Sequence, residues 1–367
     1  MGPLNGVRII ELAGIGPGPF CGMVLADLGA EVISVERVGA GPEKPALDCS
    51  RRGKRSIALN LKSEAGVETL LKLVDSADAL FEGFRPGVVE KLGIGPDQCL
   101  QRNPRLIYGP MSQAAGHDIN YISLTGALHA MGRPGEKPVP PLNLVGDFGG
   151  GGMFLALGIV SGLLEARSSG KGQVVDAAMT DGSAVLMSMF NTAYEMGLHS
   201  LDRGTNRLDG GAHFYDTYET LDGQYISIGS IEPQFYAQLL EVANRPADEF
   251  GQQMDRSRWP DLKRAIADVF RQKTRDQWCE LMEGSDICFA PVLDLKEAQD
   301  HPHNVARQTY VDVGGIKQPA PAPRFSRTEP SVRHEARPYG SDTEAVLTDL
   351  GYSSEQLTAM REQSVCG

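Results

Sequence analysis

The alternation of strand-like and helix-like segments at the start of the chain constrains the fold most. Residues 7–12 (Val-Arg-Ile-Ile-Glu-Leu) predict a strand, and a loop of glycine and proline follows. Residues 19–28 predict a helix that Gly29 closes, and residues 31–35 predict a second strand. A strand, a helix and a strand in this order form a βαβ unit. We therefore expect a doubly wound α/β fold with a parallel sheet.

The same alternation continues through the first half of the chain. Further strands are predicted at 57–61, 79–81, 105–109 and 174–177, and helices at 64–74 and 153–164. We therefore predict a Rossmann-like, parallel-sheet large domain. It comprises residues 1–185 and is completed by residues 320–367, where two more helices are predicted at 342–351 and 354–362.

The pattern of predicted secondary structure changes at Asp216. Residues 217–220 and 224–228 flank Leu221-Asp222-Gly223 in the manner of a hairpin, and amphipathic helices follow near 233–242 and 259–272. These features predict a smaller α+β domain at 216–310. A linker at 186–215 leads into it and a return linker at 311–319 leads out.

Composition narrows the partners and the compartment. A formal charge of −12 argues against a nucleic-acid or anionic-membrane binder, since these need a positive field. Six cysteines without a CxxC pair favour reduced thiols. No secretory leader is recognisable, and the apolar stretch 153–164 is too short to span a bilayer, so we expect a cytoplasmic protein, with a peroxisome or mitochondrion left open.

Two basic or glycine-rich segments allow more than one interpretation. The loop 14–19 (Gly-Ile-Gly-Pro-Gly-Pro) resembles a dinucleotide fingerprint, but Pro19 stands where the third glycine belongs, so we expect a structural turn. The run 51–55 (Arg-Arg-Gly-Lys-Arg) fits a solvated face and an anion site equally well, with Arg37 and Arg85 predicted nearby.

Two loops carry the candidate chemistry. His117 lies between Gly116 and Asp118, directly before an apolar helical segment. Asp147 lies on a turn that runs through four glycines into a helix, where backbone N–H groups can stabilise an oxyanion. The alternative for Asp147 is a helix N-cap, but four glycines exceed what a cap requires and favour close approach of a substrate. His301-Pro302-His303 lacks further ligands at metal spacing, so we expect no metal site.

With these motifs the chain resembles the α-methylacyl-CoA racemases of the family III CoA-transferase superfamily over nearly its whole length. The matching segments are 13–27, 82–88, 115–121, 141–152, 171–176, 208–212, 231–236 and 291–293. The most specific are Gly-His-Asp-Ile-Asn-Tyr at 116–121 and Ile-Glu-Pro-Gln-Phe-Tyr at 231–236.

The resemblance implies His117 and Asp147 as the acid/base pair, and Glu232 as a partner of the histidine. In similar enzymes this glutamate comes from the other subunit of an interlocked homodimer. No cofactor is implied, since CoA enters as part of the acyl-CoA substrate. The implied substrate-binding and CoA-binding residues are Arg37, Leu59, Asn60, Leu61, Lys62, Glu82, Gly83, Arg85, Tyr121, Asn143, Gly149 and Tyr215.

The chemistry that the resemblance implies is inversion of the carbon beside a thioester. Because the proton leaves one face and returns to the other, two acid/base groups must flank this carbon. The thioester carbonyl accepts the charge of an enolate, and we expect N–H groups of the Asp147 turn to stabilise it. Burial should raise the pKa of Asp147 so that the carboxyl group can also act as an acid.

Two alternatives to the racemase function are left open, and the sequence departs from the family pattern in one place. A CoA-transferase of the same fold would use an aspartate at the position of Asp147 as a nucleophile, and His117 with Glu232 favours the racemase. Relatives also carry a glycine-rich segment between Met111 and Ser112, which this chain lacks. A relative that binds acyl-CoA without turnover is therefore the third candidate.

Overall fold

The computed structural model describes residues 2–41, 47–111 and 116–367. Contacts between Cα atoms divide the chain into two compact units. Unit 1 contains the chain up to Thr125 together with Leu142–Leu186 and Pro302–Gly367, and unit 2 contains Gly126–Pro141 and Met187–His301.

The strands fall into three sheets. They are β1 (Arg8–Leu12), β2 (Glu31–Glu36), β3 (Arg55–Ala58), β4 (Ala79–Glu82), β5 (Ile107–Pro110), β6 (Gln173–Val174), β7 (Tyr215–Glu219), β8 (Tyr225–Gly229), β9 (Phe289–Pro291), β10 (Tyr310–Val313) and β11 (Ile316–Pro319). β1 to β6 form one sheet, β7 to β9 a second, and β10 with β11 a hairpin.

Helices connect and cover these strands. They are α1 (Pro17–Asp27), α2 (Glu64–Val74), α3 (Val88–Lys91), α4 (Pro96–Arg102), α5 (Asp118–Leu124), α6 (Ala127–Ala130), α7 (Phe154–Ser169), α8 (Met179–Leu186), α9 (Ser188–Glu195), α10 (Pro233–Val242), α11 (Ala247–Phe250), α12 (Trp259–Phe270), α13 (Arg275–Met282), α14 (Glu297–Asp300), α15 (Pro302–Arg307), α16 (Thr343–Asp349) and α17 (Ser354–Glu362). A π-helix spans Leu144–Met153, and 3₁₀ turns span Cys49–Arg51 and Arg256–Arg258.

The large sheet lies in unit 1, and its neighbouring strands all pair in parallel in the order β3-β2-β1-β4-β5-β6. The predicted parallel α/β sheet is confirmed. The strand order reverses between β1 and β4, which leaves a crevice beyond their carboxyl ends, where doubly wound proteins bind ligands.

Burial of both faces explains why these strands read as nearly continuous apolar runs. Ile9 and Ile10 on β1, and Leu80 and Phe81 on β4, are fully buried. α1 begins with Pro17, which is compatible with the first helical turn. A Cβ at Gly22 would lie 1.9 Å from Glu11 Oε2, so this glycine lets α1 pack closely on β1.

The π-helix and α7 form one continuous helical run, Leu144–Ser169. By length and composition alone, these 26 residues could cross a membrane. One side of α7 nevertheless packs on β5: Leu155 and Ile159 are fully buried, and a Cβ at Gly162 would lie 3.1 Å from Ile107. One face of the run therefore belongs to the core of unit 1.

Unit 2 is built on the antiparallel sheet of β7, β8 and β9. The predicted hairpin turn at 221–223 is present, with Gly223 at a φ of 71°. α12 buries Trp259, Leu262 and Ile266 at helical spacing. The predicted linkers at 186–215 and 311–319 contain α9 and the β10–β11 hairpin, and the domain boundaries themselves stay a prediction.

Candidate active site

The crevice between β1 and β4 is bordered by the loops that follow these strands. A Cβ at Gly18, on α1, would lie 3.2 Å from the Met111 methyl group, and a Cβ at Gly83, after β4, would lie 2.9 Å from it. Met111 therefore fills the space between the two loops. Ser112, before which the resemblance predicts a missing glycine-rich segment, lies outside the described residues.

Asp147 lies in the first turn of the ten-residue π-helix. Asn143 is the N-cap residue of this helix, and its side-chain Nδ2 donates to Asp147 Oδ2 at 3.2 Å. The alternative of Asp147 as an N-cap is therefore wrong. A Cβ at Gly16 would lie 2.8 Å from Asp147 Oδ2, so the loop after β1 touches the carboxyl group and does more than turn the chain. π-Helical segments are rare and occur often at functional sites.

His117 lies directly before α5 and is exposed. Its backbone N–H donates to Asn120 Oδ1 at 3.1 Å, which fixes the start of the helix. Asp118, the next residue in the chain, accepts a hydrogen bond from the backbone N–H of Asp147 at 2.7 Å, so the loops that carry His117 and Asp147 lie side by side. The structure therefore brings together the two residues that the sequence assigns to acid/base chemistry.

The pKa of the Asp147 carboxyl group is raised above its ordinary value. Burial is the main cause, and the negative charge of Asp118 adds to it. The hydrogen bond from Asn143 and the charge of His117 act in the opposite direction. The direction agrees with the predicted one, and it favours a carboxyl group that can both hold and release a proton.

Asp118 is a residue of this site that the sequence analysis missed. Its side chain is 6% exposed, and its Oδ2 accepts a hydrogen bond from the backbone N–H of Asp147 at 2.7 Å. A Cβ at Gly146 would lie 2.5 Å from the same oxygen, so the contact requires glycine there. The only signal in the sequence was an acidic residue beside His117 at the start of an apolar helix.

We predicted that N–H groups of the Asp147 turn donate hydrogen bonds to an enolate. For the N–H groups of Asp147 and Phe148 this prediction is wrong. The N–H of Asp147 donates to Asp118, and the N–H of Phe148 donates to the Asn143 carbonyl oxygen at 3.2 Å. Both groups are therefore already engaged.

Three of the four glycines pack helices together instead of admitting a substrate. A Cβ at Gly150 would lie 2.5 Å from Ser183 Oγ, at Gly151 2.8 Å from Met179 Cγ, and at Gly152 2.7 Å from Phe20 Cδ1. These neighbours belong to α8 and α1. The predicted reason for the glycines is therefore wrong for these three positions, while Gly149 is half-buried.

Tyr121 completes the surroundings of the pair. It is 7% exposed on α5, and burial together with the charge of Asp147 raises the pKa of its hydroxyl group. Asn143, Gly149 and Tyr121, all predicted to contact the substrate, thus belong to the elements that carry the predicted acid/base pair.

The residues predicted to bind the CoA nucleotide follow the carboxyl ends of β2, β3 and β4. Arg37, Lys62 and Arg85 are exposed. Leu59 is 1% exposed, and the N–H of Asn60 donates to the Val365 carbonyl oxygen at 2.8 Å, so the end of the chain covers this part of β3.

Glu82 ends β4 and is 4% exposed. Its Oε2 accepts a hydrogen bond from the N–H of Phe84 at 2.6 Å, which shapes the loop that carries Arg85. Burial is the main reason why the pKa of Glu82 rises to about 7. Its charge therefore changes near neutral pH.

The basic run at 51–55 fits neither alternative that the sequence left open. Its cations lie within 3 Å of carboxylate oxygens: Arg51 of Glu36, Arg52 of Asp27, Lys54 of Glu11, and Arg55 of Glu31. Arg52 and Lys54 are almost fully buried. A sequence shows the run of charges but not the carboxylates that face it, and here the run forms internal ion pairs.

The comparisons with known proteins identify the family of the chain. Residues 4–343 match the sequence model of CoA-transferase family III. The chain belongs to CoA-transferase family III. It is 47% identical over 374 residues to a protein named alpha-methylacyl-CoA racemase from Mus musculus, covering 99% of this chain and 97% of that protein.

The family III relatives also include a human protein. This alpha-methylacyl-CoA racemase of Homo sapiens is 42% identical over 379 residues, covering 99% of this chain and 97% of that protein. The crystal structure of a CaiB/BaiF family protein from Brucella suis superimposes with a TM-score of 0.81 at 24% identity, covering 95% of this chain and 99% of that one. The latter likeness shows that the fold is shared.

The remaining predicted residues of this family III chain, Glu232 and Tyr215, belong to unit 2. Glu232 is exposed at the N-cap of α10. The backbone before it is held by Gln253, whose Nε2 donates to the carbonyl oxygens of Ser230 and Ile231 at 2.9 and 3.0 Å. Tyr215 lines a cavity of about 700 Å³ within unit 2.

No cluster of three or more His, Cys, Asp or Glu side chains that could hold a metal ion occurs in this family III chain at 2–41, 47–111 or 116–367. The Nε2 atom of His301 lies 3.0 Å from Glu283 Oε1, so this histidine pairs with a carboxylate.

Proposed function

We propose that this protein is a racemase that interconverts (R)- and (S)-2-methylacyl-CoA thioesters by removing and returning the α-proton through an enolate. The observation that carries the proposal is the hydrogen bond that joins the loops of His117 and Asp147, where the loop after β1 also contacts the Asp147 carboxyl group. The names of the mouse and human relatives support it.

In the proposed reaction His117 and Asp147 flank the α-carbon. The pair holds one proton in its active form, so one group can take the α-proton while the other returns a proton to the opposite face. The raised pKa brings the basicity of the Asp147 carboxyl group closer to that of an imidazole. The single proton can then lie on either group, and each of these two forms serves one direction of the reaction.

The nucleotide end of CoA is proposed to lie along the carboxyl ends of β2, β3 and β4. Arg37, Lys62 and Arg85 would face its phosphates, because these cations are exposed there, and Leu59, Asn60, Leu61, Glu82 and Gly83 form the adjoining backbone. Tyr121, Asn143 and Gly149 would contact the thioester end. No resident cofactor enters this mechanism.

A second copy of the chain is proposed to complete the site with Glu232 and Tyr215. The helical run of the π-helix and α7 exposes a large apolar stripe, with Leu144 58%, Leu157 61% and Leu164 68% exposed. Such a stripe fits burial against a protein partner. Glu232 of that copy would hydrogen-bond to His117 and orient its ring.

Solvent exchange tests the proposed reaction against its alternatives. We expect the enzyme to incorporate deuterium at the α-carbon of either (R)- or (S)-2-methylacyl-CoA in D₂O. Transfer of CoA to a free acid without α-deuteration would instead show a CoA-transferase with Asp147 as its nucleophile. Binding without either reaction would identify an inactive acyl-CoA-binding relative.

A further inference from the structure

Asp118 connects the two loops that carry the acid/base pair. It follows His117 directly as the first residue of α5, and its carboxyl group accepts the hydrogen bond from the Asp147 N–H at 2.7 Å. One buried side chain thus ties the start of α5 to the first turn of the π-helix.

The second oxygen of the Asp118 carboxyl group, Oδ1, is buried without a hydrogen-bond partner in the part of the chain that the structure describes, which is unusual for a charged group. No cation forms an ion pair with Asp118 there either. A buried acidic group with an unsatisfied oxygen costs stability, and such features persist at functional sites more often than elsewhere.

Building on the proposed racemase function, we propose that Asp118 is a positioning residue for the reaction. Its hydrogen bond fixes the backbone of Asp147, and its adjacent position in the chain fixes where His117 stands relative to that carboxyl group. Its charge also acts on the proton affinity of the pair. The chain can form this connection because residue 146 is glycine.

The electrostatic part of the proposal has a defined sign. The charged groups that act on Asp147 are Asp118, which raises the pKa of its carboxyl group, and His117, which lowers it; the Tyr121 hydroxyl group also interacts electrostatically with this carboxyl group. Since the active pair holds one proton, activity falls on the acidic side when Asp147 takes up a second proton. Loss of the Asp118 charge should move this acid limb to lower pH.

Two variants separate the hydrogen bond from the charge. Asp118→Asn keeps an acceptor oxygen for the Asp147 N–H and removes the charge. We expect kcat for α-proton exchange to stay within about tenfold of wild type, with the acid limb of its pH profile shifted downward. Asp118→Ala removes both, and we expect kcat to fall roughly tenfold to a hundredfold with little change in KM.

Asp181→Asn is the matched control, because Asp181 is an exposed carboxylate on α8, which packs against the π-helix. It should leave the pH profile unchanged. A pH profile of Asp118→Asn that superimposes on that of wild type, or a wild-type kcat in Asp118→Ala, would overturn the inference.

Amide hydrogen exchange of the purified full chain tests the same contact without any turnover. The Asp147 amide should be protected in the wild type and in Asp118→Asn, and should exchange faster in Asp118→Ala. Equal protection in all three proteins would refute the role of Asp118 even if the racemase function holds. Absence of α-deuteration in the wild type would refute the proposed function alone.

Discussion

At the scale of single residues, the two members of the proposed acid/base pair have different surroundings. Asp147 is half-buried and hydrogen-bonded by Asn143, whereas the side chain of His117 is exposed at the start of α5. Motifs in the sequence proposed both residues, and their catalytic role stays a prediction. Asp118 was missed because its role depends on a contact across 29 residues, which no local pattern encodes.

Removal of either member of the pair should abolish most of the exchange reaction. We expect His117→Ala and Asp147→Ala each to lower the rate of α-proton exchange by roughly 10²- to 10⁴-fold, because general acid/base catalysis contributes about this much. Binding of CoA, measured by calorimetry, should change little. Retention of most of the activity in either variant would show that the pair is assigned incorrectly.

Glu82 predicts how stability depends on pH. Its pKa is about 7 in the folded protein and ordinary in the unfolded chain, so the folded state holds the extra proton between these values. Its contribution to stability is present below pH 4.5 and is lost as the pH rises through about 7, by up to about 3 kcal/mol.

Denaturant unfolding of wild type and Glu82→Gln at pH 5 and pH 8 checks this prediction. The wild type should lose more stability than the variant between these pH values, since a neutral amide does not titrate. An identical change in both proteins would mean that the Glu82 carboxyl group is not held protonated.

At the scale of elements, the π-helix decides the shape of the site. The sequence predicted a helix at 153–164, but the helical run begins at Leu144. The sequence did not predict this start, because glycine has a low helix propensity. Their function is visible only in the packing, where α8 and the π-helix meet through Gly150 and Gly182: a Cβ at Gly182 would lie 1.9 Å from the Gly150 carbonyl oxygen.

Gly182→Ala should therefore push α8 away from the π-helix. The clash is with backbone and cannot be relieved by a side-chain rotation, so we expect a loss of about 1–3 kcal/mol in the free energy of unfolding. We also expect a lower kcat for α-proton exchange, since Asp147 moves with the π-helix. Asp181→Ala, an exposed position on the same helix, is the control and should be near wild type in both measurements.

At the scale of the whole molecule, the alternation of strand and helix was sufficient to predict the parallel sheet. The role of the basic run at 51–55 could not be predicted from such a local pattern, because the carboxylates that pair with it come from other segments of the chain. Arg52 donates to Asp27 at 2.6 Å and to the Pro319 carbonyl oxygen at 2.7 Å, so it joins the first and last segments of unit 1. The same limit applies to Glu232, whose partner His117 is predicted to lie on another subunit.

Arg52→Ala should lower the free energy of unfolding by about 3–5 kcal/mol, because it leaves the buried Asp27 without its cation. Under conditions in which the variant is folded, its affinity for CoA should equal that of wild type. Arg85→Ala should behave in the opposite way, with unchanged stability and weaker binding of CoA. Weak binding of CoA by folded Arg52→Ala would restore the anion-site interpretation of the run.

Mixed subunits test the proposed dimer. If Glu232 acts on the site of the other subunit, a heterodimer of His117→Ala and Glu232→Ala chains contains one intact site. Random reassociation of equal amounts should then restore about a quarter of the wild-type activity. No recovery in a verified heterodimer would place both residues in the site of one chain.

The configuration of the product tests the proposed racemase activity most directly. (R)- and (S)-2-methylacyl-CoA differ at one carbon far from the other stereocentres of CoA, so their free energies are nearly equal. Starting from either form alone, the enzyme should produce the same nearly equal mixture, as resolved by chiral chromatography of the released acids. If each form keeps its configuration in the presence of active, folded enzyme, the protein is not a racemase.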